Sequence, residues 1–246
     1  MKVTYIDHMG NDDAVVDAAR VSFDKDASMY SPEENANLIR FLARGCSKKE
    51  WSDLIQELAK ATDPAVIEPL MIRLRRMADH WTPFGHCVVK LRITAPLPVR
   101  TQCFKHKQGF LENEESRRYI TTPPQFFVPE TLRAAAENAK QGSAGDHHRS
   151  AHFKAIMANT NAAMGEAYEW MIQEGICPEQ ARLVLPQSAE VTWVWTGSLY
   201  GYANFYNKRT DPHAQKETSE LAQMVGDIIA PLFPVSWEAL TGNSLL

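Results

Sequence analysis

Two segments of the chain alternate apolar and polar residues with the period of a β-strand. Residues 87–95 place Cys87, Val89, Leu91, Ile93 and Ala95 on one face. Residues 189–196 repeat the pattern with two tryptophans on the apolar face. Such alternation is typical of strands with one buried and one solvated face. Shorter strands are predicted at residues 2–7 and 126–128.

The other apolar positions follow helical spacing. The helices are predicted over residues 12–21, 31–45, 47–60, 63–79, 98–107, 131–142, 151–174 and 199–208, with a last one from 211 through 229. Many helices around a few strands, without regular βαβ alternation, predict an α+β fold in which helices surround an antiparallel or mixed sheet. We expect a single domain over residues 1–246. Its helical insertion at about 47–79 is expected to serve packing or oligomer contact.

Length and composition narrow the class of protein. The 246 residues carry 26 basic and 30 acidic side chains, a net charge of −4, so an anion site must be a local patch. No apolar run reaches the roughly 18 residues that span a bilayer, and the N-terminus does not resemble a signal peptide. We therefore expect a cytoplasmic protein.

Missing motifs exclude several kinds of site. Four cysteines without a CxxC pair argue against a zinc ribbon or redox dithiol and fit a reducing compartment. The chain has neither a GxGxxG fingerprint nor a GxxxxGK[ST] loop. A bound nucleotide would therefore need a binding site of another kind.

Residues 100–119 form the densest polar stretch, with five Lys or Arg and three Glu. Such a charge run is either a solvated surface or a site. The mixture of apolar and donor groups from Gln102 to Lys105 favours a pocket for a flat polar ring. If residues 98–107 are helical, Lys105 and Lys107 lie about 200° apart and contact ligands on opposite sides of the helix.

Two further clusters carry candidate chemistry. Arg209 is expected to end one helix and His213 to lie in the first turn of the next, which suits anions; the alternative is a surface Arg–Asp pair. Arg182 lies among apolar residues and is either a snorkelling side chain or a buried donor. The histidines near residue 150 have no acidic or thiol ligand beside them, so we expect no metal site.

Together and in order, these motifs resemble the flavin-dependent thymidylate synthases. Lys105-His106-Lys107 and the run from Asn113 to Tyr119 are similar to the family's Arg-His-Arg…Ser marker. Four flanking segments are also similar: residues 13–23, 80–86, 181–186 and 204–215. The resemblance covers most of the chain outside residues 47–79.

This resemblance implies a single catalytic domain that converts dUMP to dTMP by reductive methylation. The implied cofactors are FAD, NADPH as reductant and 5,10-methylenetetrahydrofolate as one-carbon donor. No protein cysteine attacks the base. Family members are homotetramers with active sites shared between subunits. The resemblance implies no membrane or nucleic-acid partner.

The resemblance also assigns roles to individual residues. Arg209 is the implied catalytic residue, which stabilises the ionised uracil. The implied dUMP-binding residues are Gln102, Cys103, Phe104, Lys105, Glu114, Glu115, Ser116, Arg117, Arg118, Arg182 and Arg209. The implied FAD-binding residues are Thr82, Lys105, His106, Lys107, Glu114, Asn204 and His213.

The sequence departs from the family pattern in three places. Lysines replace both marker arginines, and lysine is a point charge where arginine is a bidentate fork. Eight residues instead of seven separate Lys107 from Ser116. Ser198 and Tyr200 replace the usual Asn and Arg of the flavin site, so no role is carried over to them. These departures leave open an inactive flavin- or nucleotide-binding paralogue, and the basic stretch leaves open an RNA-binding module.

Overall fold

A four-stranded sheet organises the strands of the protein, whose computed structural model describes residues 1–77, 79–137 and 143–242. The strands are β1 (Lys2–Met9), β2 (Val88–Pro96), β3 (Phe110–Glu114) and β4 (Glu190–Ser198), in the order β1-β2-β4-β3. β3 pairs antiparallel with β4, from Phe110 opposite Gly197 to Glu114 opposite Trp193. The five residues of the predicted apolar face are fully buried; four of them lie on β2, and Cys87 directly precedes it. Together with the helices, this sheet confirms the predicted α+β class.

Eleven α-helices occur in the described residues. They are α1 (Asp12–Arg20), α2 (Pro32–Arg44), α3 (Lys48–Lys60), α4 (Pro64–Arg76), α5 (Thr82–Gly85), α6 (Leu97–Cys103), α7 (Ser150–Gln173), α8 (Pro178–Ala181), α9 (Leu199–Arg209), α10 (Lys216–Ile229) and α11 (Pro234–Thr241). Ser31 and Ser47 each form a capping box with a glutamate three residues later, which confirms two predicted helix starts. Gly45 ends α2 at φ 70°, as predicted.

The contacts divide the chain into two compact units. The sheet unit comprises Met1–Asp7, Lys90–Gly197 and Phe205–Gly226; the helical unit comprises His8–Val89, Ser198–Asn204 and Asp227–Leu246. Trp193, Trp195 and Phe205 are buried in the sheet unit, and Ile39 and Leu54 in the helical unit. The expectation of one catalytic domain stays a prediction.

The predicted insertion consists of two helices, α3 and α4, that contact each other within the helical unit. Leu54 of α3 is fully buried, so this segment contributes to the core. Its role in packing or oligomer contact stays a prediction, and residue 78 lies outside the described residues.

The segment after β2 differs from its prediction. α6 ends at Cys103 rather than at Lys107, and the next strand, β3, was not predicted. Phe110 stacks on Trp195 with ring centroids 4.2 Å apart, so pairing with β4 buries an aromatic residue in an otherwise polar segment. Gly109 adopts φ 77° in the turn that leads into the strand. Tertiary pairing therefore outweighs local helical spacing here.

The helix predicted over residues 131–142 and the short strand predicted at 126–128 both differ from the structure. Residues 131–137 are not helical. The Ala134 backbone N–H donates to the Gly145 carbonyl, the Ala134 carbonyl accepts from the Ala144 N–H, and Arg133 forms an isolated antiparallel β-bridge with Asp146. The predicted end at Gly142 lies outside the described residues. The shorter strand at 126–128 is reduced to one bridge, from Phe126 to Ala189.

The helix predicted from Asp211 begins later, at Lys216, and is not the last, because α11 follows it. The Asp211 carboxylate accepts a bond from the His213 backbone N–H at 2.8 Å. The Asp211 carbonyl accepts another from Ala214. These bonds form a turn that competes with a helix start.

Replacing Gly10 with alanine is expected to destabilise the protein by about 1–3 kcal/mol. Gly10 has φ +90°, and an added Cβ would lie 2.7 Å from the Sγ of buried Cys87. Urea unfolding measures the effect. Gly145 is the matched control, because its Cβ would meet no atom within 4 Å. Equal midpoint shifts in the two variants would contradict this account.

Candidate active site

A cavity in the sheet unit collects charged side chains from α6, the end of β3 and the segment after it. Its volume is about 390 Å³, within the usual range for small-ligand sites. The lining residues are Leu97, Arg100, Glu114, Glu115, Ser116, Arg117, Arg182, Leu185, Ala189 and Val191. Five of the predicted nucleotide-binding residues therefore line one cavity: Glu114, Glu115, Ser116, Arg117 and Arg182.

Arg100 and Glu114 form a bidentate ion pair at this cavity, with contacts of 2.5 and 2.9 Å. Burial raises the pKa of Glu114, and the Arg100 guanidinium opposes that shift. The pair fixes α6 to the end of β3. Arg100 was counted in the basic stretch but not assigned to the site; its position before the Gln102–Lys105 run is the signal that could have found it.

Arg117 brings a donor without a partner to the same cavity. Its Nη1 donates to the carbonyl of Thr122 at 2.8 Å. Its Nε is buried without a hydrogen-bond partner among the described residues. A buried, unpaired guanidinium N–H is costly, so the arrangement favours an anionic or carbonyl ligand.

The other arginines of the predicted nucleotide set are more exposed. Arg182 lines the cavity, and its Nε donates to the carbonyl of Glu179 at 3.3 Å. Arg118 pairs with the Glu179 carboxylate at 3.3 Å, and its side chain is 52% exposed. Arg118 is therefore not brought to the cavity.

A second cluster in the sheet unit surrounds Arg209, the last residue of α9. Its Nε donates to Nε2 of His106 at 2.9 Å, and its Nη2 donates to the carbonyl of Gln102 at 3.1 Å. The His106 ring packs edge-on against Phe205, with centroids 5.1 Å apart. Burial, followed by repulsion from Arg209 and Lys208, lowers the pKa of His106 to about 4. His106 is therefore neutral at physiological pH.

α6 connects the two clusters. The side chain of Arg100 belongs to the cavity, while the carbonyl of Gln102, near the C-terminus of the same helix, accepts from Arg209. A cation at this end is favoured by the partial negative charge of helix carbonyls. Cys103, the last residue of α6, is fully buried, and burial raises the pKa of its thiol to about 12.

The two marker lysines lie in the turn after α6. The prediction that they occupy opposite faces of one helix is therefore wrong. Lys107 pairs with Glu112 and lies 5.4 Å from the Phe104 ring, which packs edge-on against Trp193. Lys105 is exposed, so its ammonium is accessible to a ligand.

Two predicted flavin contacts belong to the helical unit. Thr82 is exposed at the start of the short helix α5, and Asn204 hydrogen-bonds to the Tyr200 hydroxyl. Tyr200 also donates to the Asp79 carboxylate at 2.6 Å. The Ser198 hydroxyl accepts from the Gly201 N–H at 3.1 Å and so caps α9. Ser198 and Tyr200, which differ from the family pattern, thus both have hydrogen-bond partners inside the protein.

His213 lies in the exposed turn before α10, contrary to its predicted place in a first helical turn. It lines a larger cavity of about 940 Å³ in the sheet unit, together with Arg133 and Glu217. Those two residues form a bidentate pair at 2.7 and 2.9 Å. The structure therefore places His213 at a different cavity from Ser116 and Arg117.

Replacing Glu217 with glutamine is expected to lower the free energy of unfolding at pH 7 by about 1–2 kcal/mol. Hydrogen bonding to Arg133 lowers the pKa of Glu217, so its contribution is present above the unfolded pKa of about 4.3. It is lost as pH falls through the lower folded pKa. Urea unfolding between pH 7 and 3.5 should show the variant and the parent converging at acid pH. Glu220→Gln is the control. The Glu220 carboxylate lies 3.9 Å from the Lys216 ammonium in an exposed pair, so this substitution should change the free energy of unfolding little.

Neither a metal cluster nor a membrane-spanning helix occurs in the described part of the chain. No group of three His, Cys, Asp or Glu residues there could hold a metal ion. His147 and His148 instead stack on each other at 4.4 Å. No described helix is both long and apolar enough to cross a membrane.

The cavity lined by Arg117 and Arg182 and the cluster around Arg209 give this α+β protein two groups of cationic donors suited to an anionic ligand. The family model described as thymidylate synthase complementing protein matches residues 4–235. The chain belongs to this family.

Relatives and solved structures agree with this assignment. A flavin-dependent thymidylate synthase of Thermosipho africanus is 29% identical over 236 residues, which are 95% of this chain and 88% of that protein. One from Thermus thermophilus is 28% identical over 243 residues, 99% of this chain and 76% of that protein. The crystal structure of the UMP/dUMP methylase PolB from Streptomyces cacaoi bound with 5-Br dUMP superposes with a TM-score of 0.75 at 25% identity. It covers 98% of this chain and 94% of that one.

Proposed function

We propose that this protein is a flavin-dependent thymidylate synthase that reductively methylates dUMP to dTMP. The observation that carries the proposal is the pair of arginine centres joined by α6, in a chain whose family match spans residues 4–235. The one-carbon donor is 5,10-methylenetetrahydrofolate and the reductant is NADPH. Bound FAD would accept electrons from NADPH and supply the hydride that completes the methyl group.

The cavity provides the chemistry for the nucleotide phosphate. A dianionic phosphate needs charge-assisted donors, and Arg117, Arg182 and the Ser116 hydroxyl supply them. Arg100 keeps the neighbouring Glu114 charge compensated, so that carboxylate does not repel the phosphate. The unpaired Nε of Arg117 is the donor with most to gain from a bound anion.

Arg209 provides the electrostatic part of catalysis. Activation of uracil at C5 places negative charge on the N3/O4 side of the ring, and a fixed guanidinium stabilises that charge. The bonds from Arg209 to His106 and Gln102 fix its orientation before substrate binds. Preorganised donors of this kind need no reorganisation during the reaction.

Cys103 supports a reaction without a protein nucleophile. A buried thiol with a pKa of about 12 is protonated at neutral pH and cannot attack the base. Cys103, a member of the predicted nucleotide set, therefore contributes buried packing rather than a nucleophile.

The residues present fit a flavin in their donor chemistry. Reduced flavin carries negative charge near N1 and C2=O and favours a cationic neighbour, which the exposed Lys105 can provide. Thr82 and Asn204 add uncharged hydrogen-bonding groups. In the proposed homotetramer active sites are shared between subunits, so these residues need not come from one chain.

The substrates and cofactors also give the proposed compartment. NADPH and reduced folate are metabolites of the cytoplasm, and the four cysteines carry free thiols. We place the protein there, with no membrane or nucleic-acid partner.

The test is an anaerobic assay with FAD, NADPH and methylenetetrahydrofolate, supplied with 5-tritiated dUMP or UMP. We expect tritium release and dTMP formation from dUMP. UMP is included because the structural relative is a UMP/dUMP methylase. A yellow protein that releases no tritium would indicate an inactive paralogue. A colourless protein with salt-sensitive RNA affinity would indicate the RNA-binding alternative.

A further inference from the structure

The orientation of Arg209 depends on one side chain, His106. Of the three guanidinium nitrogens, Nε donates to His106 and Nη2 donates to the carbonyl of Gln102. These are the bonds of Arg209 within the described residues, and they leave Nη1 for a ligand. The His106 bond is the only one of the two that a side-chain substitution can remove.

The acceptor at His106 must be the neutral imidazole. Nε2 can accept from Arg209 only while it is unprotonated, so the ring carries its proton on Nδ1. The charged groups that face the ring are Arg209 and Lys208, both from α9, and Phe205 covers it edge-on. Its sequence neighbours Lys105 and Lys107 are exposed. All these charges are positive and disfavour a protonated ring.

A neutral acceptor has a consequence that a carboxylate would not have. A carboxylate would fix Arg209 equally well, but it would neutralise the guanidinium and reduce the field at the ligand. Imidazole fixes the direction of the guanidinium while leaving its full positive charge available. A histidine is therefore suited to hold a catalytic arginine.

We propose that His106 is a positioning residue for Arg209, which it holds as an uncharged hydrogen-bond acceptor. This inference rests on the proposed function, because it assigns His106 to the nucleotide side of the reaction rather than only to the flavin. It predicts that His106 affects dUMP through Arg209 and that glutamine, whose amide oxygen can accept the same bond, substitutes for it.

The first test needs neither substrate nor flavin. A proton NMR titration of the histidines, with His106 assigned through His106→Gln, should give His106 a pKa near 4. In Arg209→Ala that pKa should rise, but burial is the largest cause of the shift and should keep it below the ordinary value of about 6.5. A His106 that titrates near 6.5 in the parent, unchanged by Arg209→Ala, would overturn the inference.

The second test is a double-mutant cycle on dUMP affinity, measured by calorimetry with the FAD-loaded protein. His106→Leu should weaken dUMP binding by about tenfold, and His106→Gln by less than about threefold. In the Arg209→Ala background, His106→Leu should have no further effect. Equal losses in both backgrounds would show that His106 acts independently of Arg209.

Two measurements separate this role from the alternatives. The FAD affinity of each variant, from flavin fluorescence, should change less than the dUMP affinity; loss of flavin with unchanged dUMP binding would make His106 a flavin contact only. His148→Leu is the matched control, since His148 is exposed. If the parent protein binds no dUMP, the proposed function fails, and the titration still decides whether His106 holds Arg209. Circular dichroism checks folding, and His106→Gln remains informative should His106→Leu not fold.

Discussion

Replacing Arg209 with alanine is expected to lower dTMP formation by about 10²–10³-fold while the protein retains most of its flavin. Arg209 is held by His106 and Gln102 in the sheet unit, and its charge opposes the negative charge that develops on uracil. A preorganised donor contributes mainly in the transition state, so its loss should lower kcat, and the loss of its ground-state contact with dUMP should in addition raise KM. Single-turnover dTMP formation and the flavin absorbance of the purified protein measure the two effects.

Two further variants serve as comparisons for the loss of activity in Arg209→Ala. Arg209→Lys keeps the charge but loses the planar fork, so its activity should lie between those of the parent and Arg209→Ala. Arg75→Ala removes an exposed arginine at the end of α4 and should be neutral. Full activity in Arg209→Ala would refute the role assigned to this residue.

The second large effect is expected at Arg117. Alanine at this position should weaken dUMP binding by about 10- to 100-fold, because a charge-assisted bond contributes about 1.5–3 kcal/mol. The reason is the buried Nε, which has no hydrogen-bond partner among the described residues. Titration calorimetry with dUMP and with deoxyuridine measures the effect. Deoxyuridine lacks the phosphate, so its affinity should change little.

The neighbouring arginine provides the control. Arg118 is half exposed and pairs with Glu179, so Arg118→Ala should weaken dUMP binding less than Arg117→Ala does. The reverse order, or an equal loss of affinity for deoxyuridine, would show that Arg117 does not contact the phosphate.

Much of the fold could be predicted because its signals are local. The capping boxes at Ser31 and Ser47, the glycine at residue 45 and the alternation along β2 and β4 each specify an element from a few neighbouring residues. The predictions fail where contacts between separate segments of the chain determine the local structure. β3 exists because Phe110 packs on Trp195, and residues 131–137 form backbone hydrogen bonds with residues 144–147 instead of a helix.

Part of the cavity lining could be predicted from the motifs, but its arrangement could not, and the binding roles of these residues stay predictions. Glu114, Ser116, Arg117 and Arg182 meet at one cavity, as the motifs indicated. The prediction that Lys105 and Lys107 lie on one helix is wrong. The bond between His106 and Arg209 could not be predicted from local spacing, because its partners lie 103 positions apart in the chain. The spacing of residues in the sequence predicts contacts within one helix or strand, whereas the bond from Arg209 to His106 joins the end of α9 to the segment after α6.

Residue types at short, fixed spacing were enough to predict the starts of α2 and α3, the end of α2, the strands β2 and β4, the mixed α+β class and the family resemblance. Which charged side chains are compensated, and which remain available to a ligand, depends on contacts between segments far apart in the chain. Arg100 is neutralised by Glu114, Arg117 keeps an unpaired donor, and Arg209 is held by a neutral imidazole. Burial and partner choice set these differences, and both arise only when distant segments pack together.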